Sequence, residues 1–532
     1  MAHWRPCPRP CPRTVRPLSE TRSPVAQQAA PLSAPEVSQP SQPVRGSVAS
    51  NALYLGLGQA ATTALAIGLT AALGRWLGAA DYGTYYVLIT MSTSVYLLME
   101  CGQSVWVVRE TARAPERAGE LLGSALAFRV AVVTASAIPV GLLTLALGYG
   151  VRTTWLFVLL FLGNLPLFLA SGYGMAFRAA ERMERDAAVS VVNKVLVLSV
   201  ALPALAIGAG IPGVILAQVL AGGAALFTAR ALYLGIDGQT LSMSRQAVRA
   251  MVLGGLPMLS MSVSGAAQPY MDAVILSKLA PATAVGYFGA ARNIIGTLLA
   301  PALIIATASY PRIARAAHDT SAFPREIRTA LRPLLWLGAL GATGTWLFAE
   351  TAVGLIYGSG FAPSATILKV YAPALFLVFI DILLWNALYA AGVAVGLAIV
   401  IAVKVLASAG LSILLVPILQ ARTGNGGIGI VLSFALSELV VLSGALVLLP
   451  RGTLTGEAAV DTARALGAAG LTLLLFWAIP SLNPWLGIPL CIATFSGASW
   501  LLGLMHQRDV EALQGIFRTP RRAAVPPFET LG

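Results

Sequence analysis

Apolar positions in this chain neither alternate nor recur as a single helical stripe. They run on for about 20 residues at a time, broken by short polar clusters, which is the length a helix needs to cross a bilayer. About 14 such runs follow one another, at 51–73, 84–107, 121–147, 154–177, 187–208, 211–234, 251–276, 285–309, 334–350, 367–390, 393–419, 427–449, 464–480 and 484–505. Strands of a membrane barrel would be shorter and would alternate, and backbone in lipid must satisfy its own hydrogen bonds, so the runs predict helices. The fold class expected is an all-α integral membrane protein.

Composition agrees: 57% of residues are hydrophobic, 11% are charged, and the mean hydropathy is +0.78. The net charge of +13 would suit nucleic acid, but the placement of the cations excludes that partner. They gather in alternate loops: Arg109, Arg113 and Arg117 after the second run, Arg178, Arg182 and Arg185 after the fourth, Arg230, Arg245 and Arg249 after the sixth. The series continues with Arg312 to Arg332 after the eighth, Arg451 and Arg464 after the twelfth, and Arg508 to Arg522 at the end. The intervening loops carry Arg75, Arg152, Lys278 and Arg422. Positive-inside asymmetry of this kind puts both termini of a multi-pass protein in the cytoplasm.

Residues 1–47 are rich in Pro and Arg without an apolar h-region, which predicts a disordered cytoplasmic tail rather than a signal peptide; 506–532 form a second cytoplasmic tail. Cys7 and Cys11 fall in the first tail and Cys101 and Cys491 in apolar runs, while His3, His318 and His506 are scattered through cytoplasmic segments. No nucleophile with a base, phosphate-cradling loop or metal-ligand spacing stands out, so neither enzyme chemistry nor a bound cofactor or metal is expected.

One polar interruption occurs twice. "LGRWLGAADYGTYYVLIT" (73–90) places Arg75 eight residues before Gly83, and "LSKLAPATAVGYFGAARNI" (276–294) places Lys278 eight before Gly286. Each joins an out-going to an in-coming run, and the offset spans six runs, an even number that preserves orientation. The expectation is two six-helix bundles, 48–234 and 250–449, related by a two-fold along the membrane normal, with 464–505 as an appended helix pair. In the first copy Gly78 and Gly83 are expected to give the turn its freedom, Arg75 and Trp76 to anchor one helix at the interface, and Tyr82, Tyr85 and Tyr86 to form an interfacial aromatic belt.

These same residues, with "MECGQSVWVVRETAR", "PYMDAVILSKLAPATAVGYFGAARNI" and "SYPRIARAA", resemble the polysaccharide exporter (O-antigen and teichoic-acid type) family of the MOP superfamily, whose relatives include lipid II flippases and MATE drug exporters. The resemblance implies a flippase that turns an undecaprenyl-diphosphate-linked oligosaccharide from the inner to the outer leaflet of a bacterial plasma membrane by alternating access. It implies a lipid-linked oligosaccharide partner, with a polysaccharide polymerase or glycosyltransferases nearby, and coupling to H+ or Na+. The alternatives are a MATE-like cation-coupled drug exporter and a membrane-embedded glycan polymerase, the latter disfavoured by a short outward loop at 351–366.

Ionisable side chains inside a membrane are costly and mark candidate sites. Eight qualify: Glu100, Arg129, Lys194, Asp272, Arg292, Asp381, Lys404 and Glu438. Arg129, Lys194, Arg292 and Lys404 are candidates for diphosphate or sugar, since a guanidinium offers a fork of donors and an ammonium a compact charge. Glu100, Asp272, Asp381 and Glu438 are candidates for ion coupling or gating. Glu100, Arg129 and Lys194 all lie roughly 10 to 12 Å from the cytoplasmic helix ends at 1.5 Å per residue, a depth that allows one shared cavity. Asp272 and Arg292 are placed to pair across their hairpin. The competing reading is that all eight pair off and only hold helices in register.

Overall fold

The computed structural model describes residues 48–237, 240–317, 319–454, 456–479 and 483–505. The two tails, with His3, His318, His506, Cys7 and Cys11, lie outside the described residues.

The described chain folds into helices over the apolar runs: α1 (Val48–Glu100), α2 (Gln103–Arg113), α3 (Ala118–Ala146), α4 (Val151–Gly163), α5 (Leu165–Ala179), α6 (Met183–Ala206), α7 (Gly210–Asp237), α8 (Arg245–Leu279), α9 (Ala282–Leu298), α10 (Ala300–Ala316), α11 (Ala322–Tyr357), α12 (Ala362–Ala390), α13 (Ala394–Thr423), α14 (Gly427–Leu448), α15 (Gly456–Ala478) and α16 (Pro484–Leu501). Among the described residues there is no strand, and eleven helical stretches are long and apolar enough to cross a membrane. Exposed Leu, Ile, Val and Trp cover the outside, as expected where the solvent is lipid.

Several runs are broken where hydropathy saw none. α1 holds the first two runs and is bent at Gly78, whose φ of +71° suits a residue without a Cβ. The second run then stops at Cys101 and Gly102, both with positive φ, and α2 continues as an amphipathic helix with Val107 buried. The fourth run divides at Asn164 and the eighth at Leu299, each just ahead of a proline, Pro166 and Pro301, in the first turn of the next helix.

α11, which holds the ninth run, starts well before the predicted 334. Asp319 Oδ1 accepts from the backbone N–H of Ser321 at 2.8 Å and of Ala322 at 3.0 Å, and these bonds hold its carboxyl below the usual range. The helix therefore takes in Arg325, Arg328 and Arg332, which a loop reading had left outside.

α11 is also where the appended pair docks. Asp461 of α15 is fully buried and accepts from Arg328 at 2.8 Å, Arg332 at 3.1 Å and Arg464 at 3.1 Å. Glu457 meets Arg328 as well. Deeper in the membrane, Trp336 packs on Phe495 and Phe348 on Phe476.

Candidate functional site

Two features position the candidate site: a seam where α1 meets α9, and two cavities, one lined from α1, α5, α6 and α7 and the other from α8, α9, α12, α13 and α14.

At the seam, α1 crosses α9 at backbone distance. A Cβ built on Gly83 would lie 2.0 Å from the Ala282 carbonyl oxygen, and one on Gly286 would lie 2.0 Å from that of Ala79. Ala79 and Ala282 each precede the neighbouring glycine by four residues, so the two contacts are reciprocal under the offset between Gly83 and Gly286. Around them Tyr82 OH receives a hydrogen bond from Asn293 Nδ2 at 2.8 Å and lies 3.4 Å from Tyr357 OH. Tyr82 also packs edge-on against Phe361, and Tyr86 packs edge-on against Phe288.

The two cations flank this seam crosswise. Arg75 Nη2 donates to the Leu355 carbonyl at 2.5 Å, near the end of α11. Lys278 Nζ sits 3.3 Å from the centroid of Tyr149, just past the end of α3, and Tyr149 OH bonds Ser277 Oγ.

The sequence reading is corrected here on two counts. Tyr82, Tyr85 and Tyr86 are buried and make no lipid-facing belt, although Trp76, 53% exposed, does face outward. Gly83 is a helical residue that permits close approach, so only Gly78 acts as the turn.

The first-half cavity, about 380 Å3, opens between α1, α5, α6 and α7, with Asn164 at the α4–α5 break. Its polar lining includes Thr93, Asn164, Ser171, Asn193, Lys194 and Gln218. Gln218 donates to Tyr85 OH and Asn164 to Ser92 Oγ at 3.3 Å. Asn193 Nδ2 is buried without a partner. Lys194 forms no hydrogen bond or ion pair among the described residues.

Arg129 stands directly behind this wall. Its Nη1 donates to the Phe168 carbonyl at 2.5 Å and to Ser171 Oγ at 2.9 Å, its Nε donates to Gln103 Oε1 at 3.3 Å, and its guanidinium stacks 4.1 Å from the Phe168 ring. All these partners are neutral. Glu100 receives a bond from Ser104, so the expected sharing of one cavity is corrected: Lys194 lines it, Arg129 backs it, and Glu100 does neither.

In the second half, a cavity of about 200 Å3 is lined by Arg292, Asp381, Lys404 and Glu438, with Gln268, Trp385 and Phe434. Lys404 Nζ pairs with Glu438 Oε1 at 2.6 Å. The expected Asp272–Arg292 pair does not form: Arg292 Nη1 donates to Tyr371 OH at 3.2 Å, and Asp272 Oδ2 is buried without a partner. Universal pairing of the eight charges therefore fails, with Lys404–Glu438 the one direct ion pair found between members of the set among the described residues. Asn164, Ser171, Tyr371, Trp385 and Phe434 were not singled out from sequence; an Asn two residues before a proline inside an apolar run was the one usable signal, at Asn164.

A family model for "polysaccharide biosynthesis protein" matches residues 48–317. The chain belongs to that family. No curated protein sequence matches it. Among solved structures it is similar to the lipid II flippase MurJ in an inward closed conformation, with a TM-score of 0.68 at 12% identity over 86% of this chain and 100% of that one. A multidrug resistance MATE family transporter of the MOP superfamily, inward-facing, gives 0.59 at 15% identity over 74% and 96%. A MOP superfamily transporter from Pyrococcus furiosus, described for the reverse polarity of its binding pocket, gives 0.55 at 17% identity over 76% and 95%. The expected fold class is thus found, with the MOP fold in a multi-pass membrane protein. Family and fold together mark a transport protein rather than an enzyme.

Proposed function

We propose that this member of the polysaccharide biosynthesis family is a flippase that moves an undecaprenyl-diphosphate-linked oligosaccharide from the inner to the outer leaflet of a bacterial plasma membrane. One observation carries the reading. The first-half cavity presents an unpaired ammonium, Lys194, and an unpartnered amide N–H of Asn193, with the Arg129 guanidinium one side chain behind and hydrogen-bonded to neutral groups. In a low-dielectric interior such a wall favours an anion, and a diphosphate supplies both the charge and the acceptor oxygens. The polar groups of Asn164, Ser171 and Gln218 suit sugar hydroxyls.

The two bundles, related by a two-fold along the membrane normal, would rock about the hairpin seam. The reciprocal approach of Gly83 and Gly286 supports such an axis, and the loop cations support placing the seam on the outer side. A polymerase or glycosyltransferase would act beside the protein on the same lipid.

A MATE-like exporter of organic cations is the second reading, supported by the shared fold. The cationic wall of the first cavity opposes it. The test is mass spectrometry of lipid-linked saccharides in a strain lacking the protein, with sidedness labelling. A cytoplasm-facing undecaprenyl-diphosphate sugar is expected to accumulate; an unchanged lipid pool with new sensitivity to cationic drugs would move the assignment to the exporter.

A further inference from the structure

Where α1 gives way to α2, ahead of Arg109, Arg113 and Arg117, the molecule holds a second close approach. A Cβ built on Gly255 of α8 would lie 2.2 Å from the Cys101 carbonyl oxygen, and one on Gly254 would lie 2.2 Å from Trp106 Nε1. Cys101 and Gly102, which separate the two helices, have φ of +47° and +69°. Glycine takes such a conformation freely, whereas a cysteine is strained in it and stays there only where its surroundings hold it. The contact with α8 is one such restraint.

The segment ahead of α8 is fixed to α3. Ser244 N–H donates to Ser124 Oγ at 3.0 Å, and a Cβ on Gly123 would lie 2.3 Å from the Ser242 carbonyl oxygen. α2 is held to the same helix at its first residue. Gln103, fully buried, accepts from Arg129 Nε through Oε1 at 3.3 Å and donates from Nε2 to the Met99 carbonyl at 3.3 Å, bridging the break. One turn on, Val107 packs in a buried cluster with Met175, Ala247 and Met251.

Arg129 therefore joins two places. Its Nη1 donates to the Phe168 carbonyl and to Ser171 Oγ, and Phe168 and Ser171 line the first-half cavity; its Nε holds the first residue of α2. All three acceptors are neutral, and a phosphate oxygen is a stronger acceptor for a guanidinium than an amide or a hydroxyl. An anion that reaches Ser171 competes for the guanidinium, and the Gln103 bond, at 3.3 Å, is the longest of the three. A neutral headgroup offers nothing in exchange.

We propose that the Arg129–Gln103 bond is a specificity tie, which keeps α2 closed on α8 while the first-half cavity is empty and yields to a headgroup that carries a diphosphate. Drawn toward the anion, the guanidinium leaves Gln103. α2 then loses its hold on α3, the Cys101–Gly102 break relaxes, and Trp106 lifts from Gly254. The diphosphate shifts the equilibrium because it binds the released form better; a lipid without a charged headgroup meets a closed contact. Gln103 is on this account a positioning residue, acting through Arg129 without touching the cargo. The proposal rests on the anionic-cargo reading of that cavity, and its test separates the two.

The reporter is Met251→Cys, at a buried position of α8 beside Val107, in the full chain with its native cysteines replaced by serine. The rate of maleimide labelling reads the α2–α8 contact, and Tm reads binding. Farnesyl diphosphate is the anionic probe and farnesol the neutral one. The diphosphate is expected to raise both the rate and Tm, and farnesol to leave the rate unchanged. Gln103→Met keeps the length of the side chain and removes the acceptor; without ligand it should label about fivefold faster, the weight of one neutral hydrogen bond, and no longer respond to the diphosphate. Gln103→Glu exchanges the amide for a carboxylate, a stronger acceptor, and should label more slowly than the reporter alone. A bond that only packs helices would loosen in both variants, so faster labelling in Gln103→Glu overturns the proposal, as does an unchanged rate in Gln103→Met. A diphosphate that raises Tm without changing the rate overturns it too and leaves the cavity reading intact; no change in either removes both.

Discussion

The reciprocal glycine contact makes a prediction whose size follows from the geometry. In Gly83→Ala the new Cβ would meet the Ala282 oxygen at 2.0 Å, the Gly286 nitrogen at 2.7 Å and the Ala282 carbonyl carbon at 3.0 Å, all of them backbone atoms. No rotamer can relieve such a clash. Carbon to carbonyl-oxygen contacts settle near 3.3 Å, so α1 and α9 must separate by about 1.3 Å. Overpacking of this kind costs about 1–3 kcal/mol. If the halves part at the seam during transport, the cost falls on the closed state alone, and a bias of that size moves the equilibrium roughly 5- to 150-fold toward the open form. Val285, buried beside Gly83 and nearly isosteric with cysteine, reports the change. In a background with the native cysteines replaced by serine, Val285→Cys is expected to react with maleimide faster by that factor when Gly83→Ala is added. Gly286→Ala should act alike, and the double variant should fall short of the sum because one separation relieves both clashes. An unchanged maleimide rate with an unchanged Tm in either single variant would refute the reasoning.

Three further outcomes are expected. Lys194→Ala should cut appearance of the lipid-linked glycan in the outer leaflet at least tenfold while changing stability by less than about 0.5 kcal/mol, because no bond of Lys194 is lost; wild-type export at matched protein level removes the phosphate site. Arg129→Ala should lower both export and unfolding stability, the latter by about 1–3 kcal/mol, as the Phe168 carbonyl and the Gln103 side chain lose a buried donor; a wild-type Tm would show that the guanidinium supports nothing. Asp461→Asn should destabilise by about 1–3 kcal/mol, less than a fully buried pair because Arg328 and Arg464 keep water contact. That loss should shrink in high salt, and a salt-independent loss would argue for packing instead.

Hydropathy was sufficient to find the helices and their order because lipid imposes length and polarity on each run independently of its neighbours. It was blind to breaks, since those at Asn164 and Cys101–Gly102 replace hydrogen bonds within a run without changing its polarity. It was equally blind to azimuth. Depth placed Asp272 and Arg292 at one level, yet Arg292 turns to Tyr371 and Phe434. Depth also grouped Glu100 with Arg129 and Lys194, although only Lys194 reaches the cavity. Tyrosines at a helix end read as interfacial anchors until the partner helix is known; Tyr82, 1% exposed, is covered by Tyr357, Phe361 and Asn293 from distant segments. Spacing alone did single out Gly83 and Gly286, which meet at one seam, each against a carbonyl of the other's helix.

The seam and the interiors obey different rules, and the contrast bears on mechanism. Where the halves touch, the copies match: a glycine against a carbonyl on each side, and a cation from each half reaching to the far ends of α3 and α11. Away from the seam they diverge. The first half keeps Arg129 and Lys194 without a carboxylate partner, and the second sets Asp272, Asp381 and Glu438 against Arg292 and Lys404. A repeat that needed symmetric motion would retain its contact surface while its interiors were free to specialise. On the proposed reading the first half neutralises an anionic cargo that lipid would otherwise reject, while the second sets its own charges against one another. Each half then contributes a different term to the same conformational equilibrium, and either term can be altered by substitution without disturbing the seam through which both act.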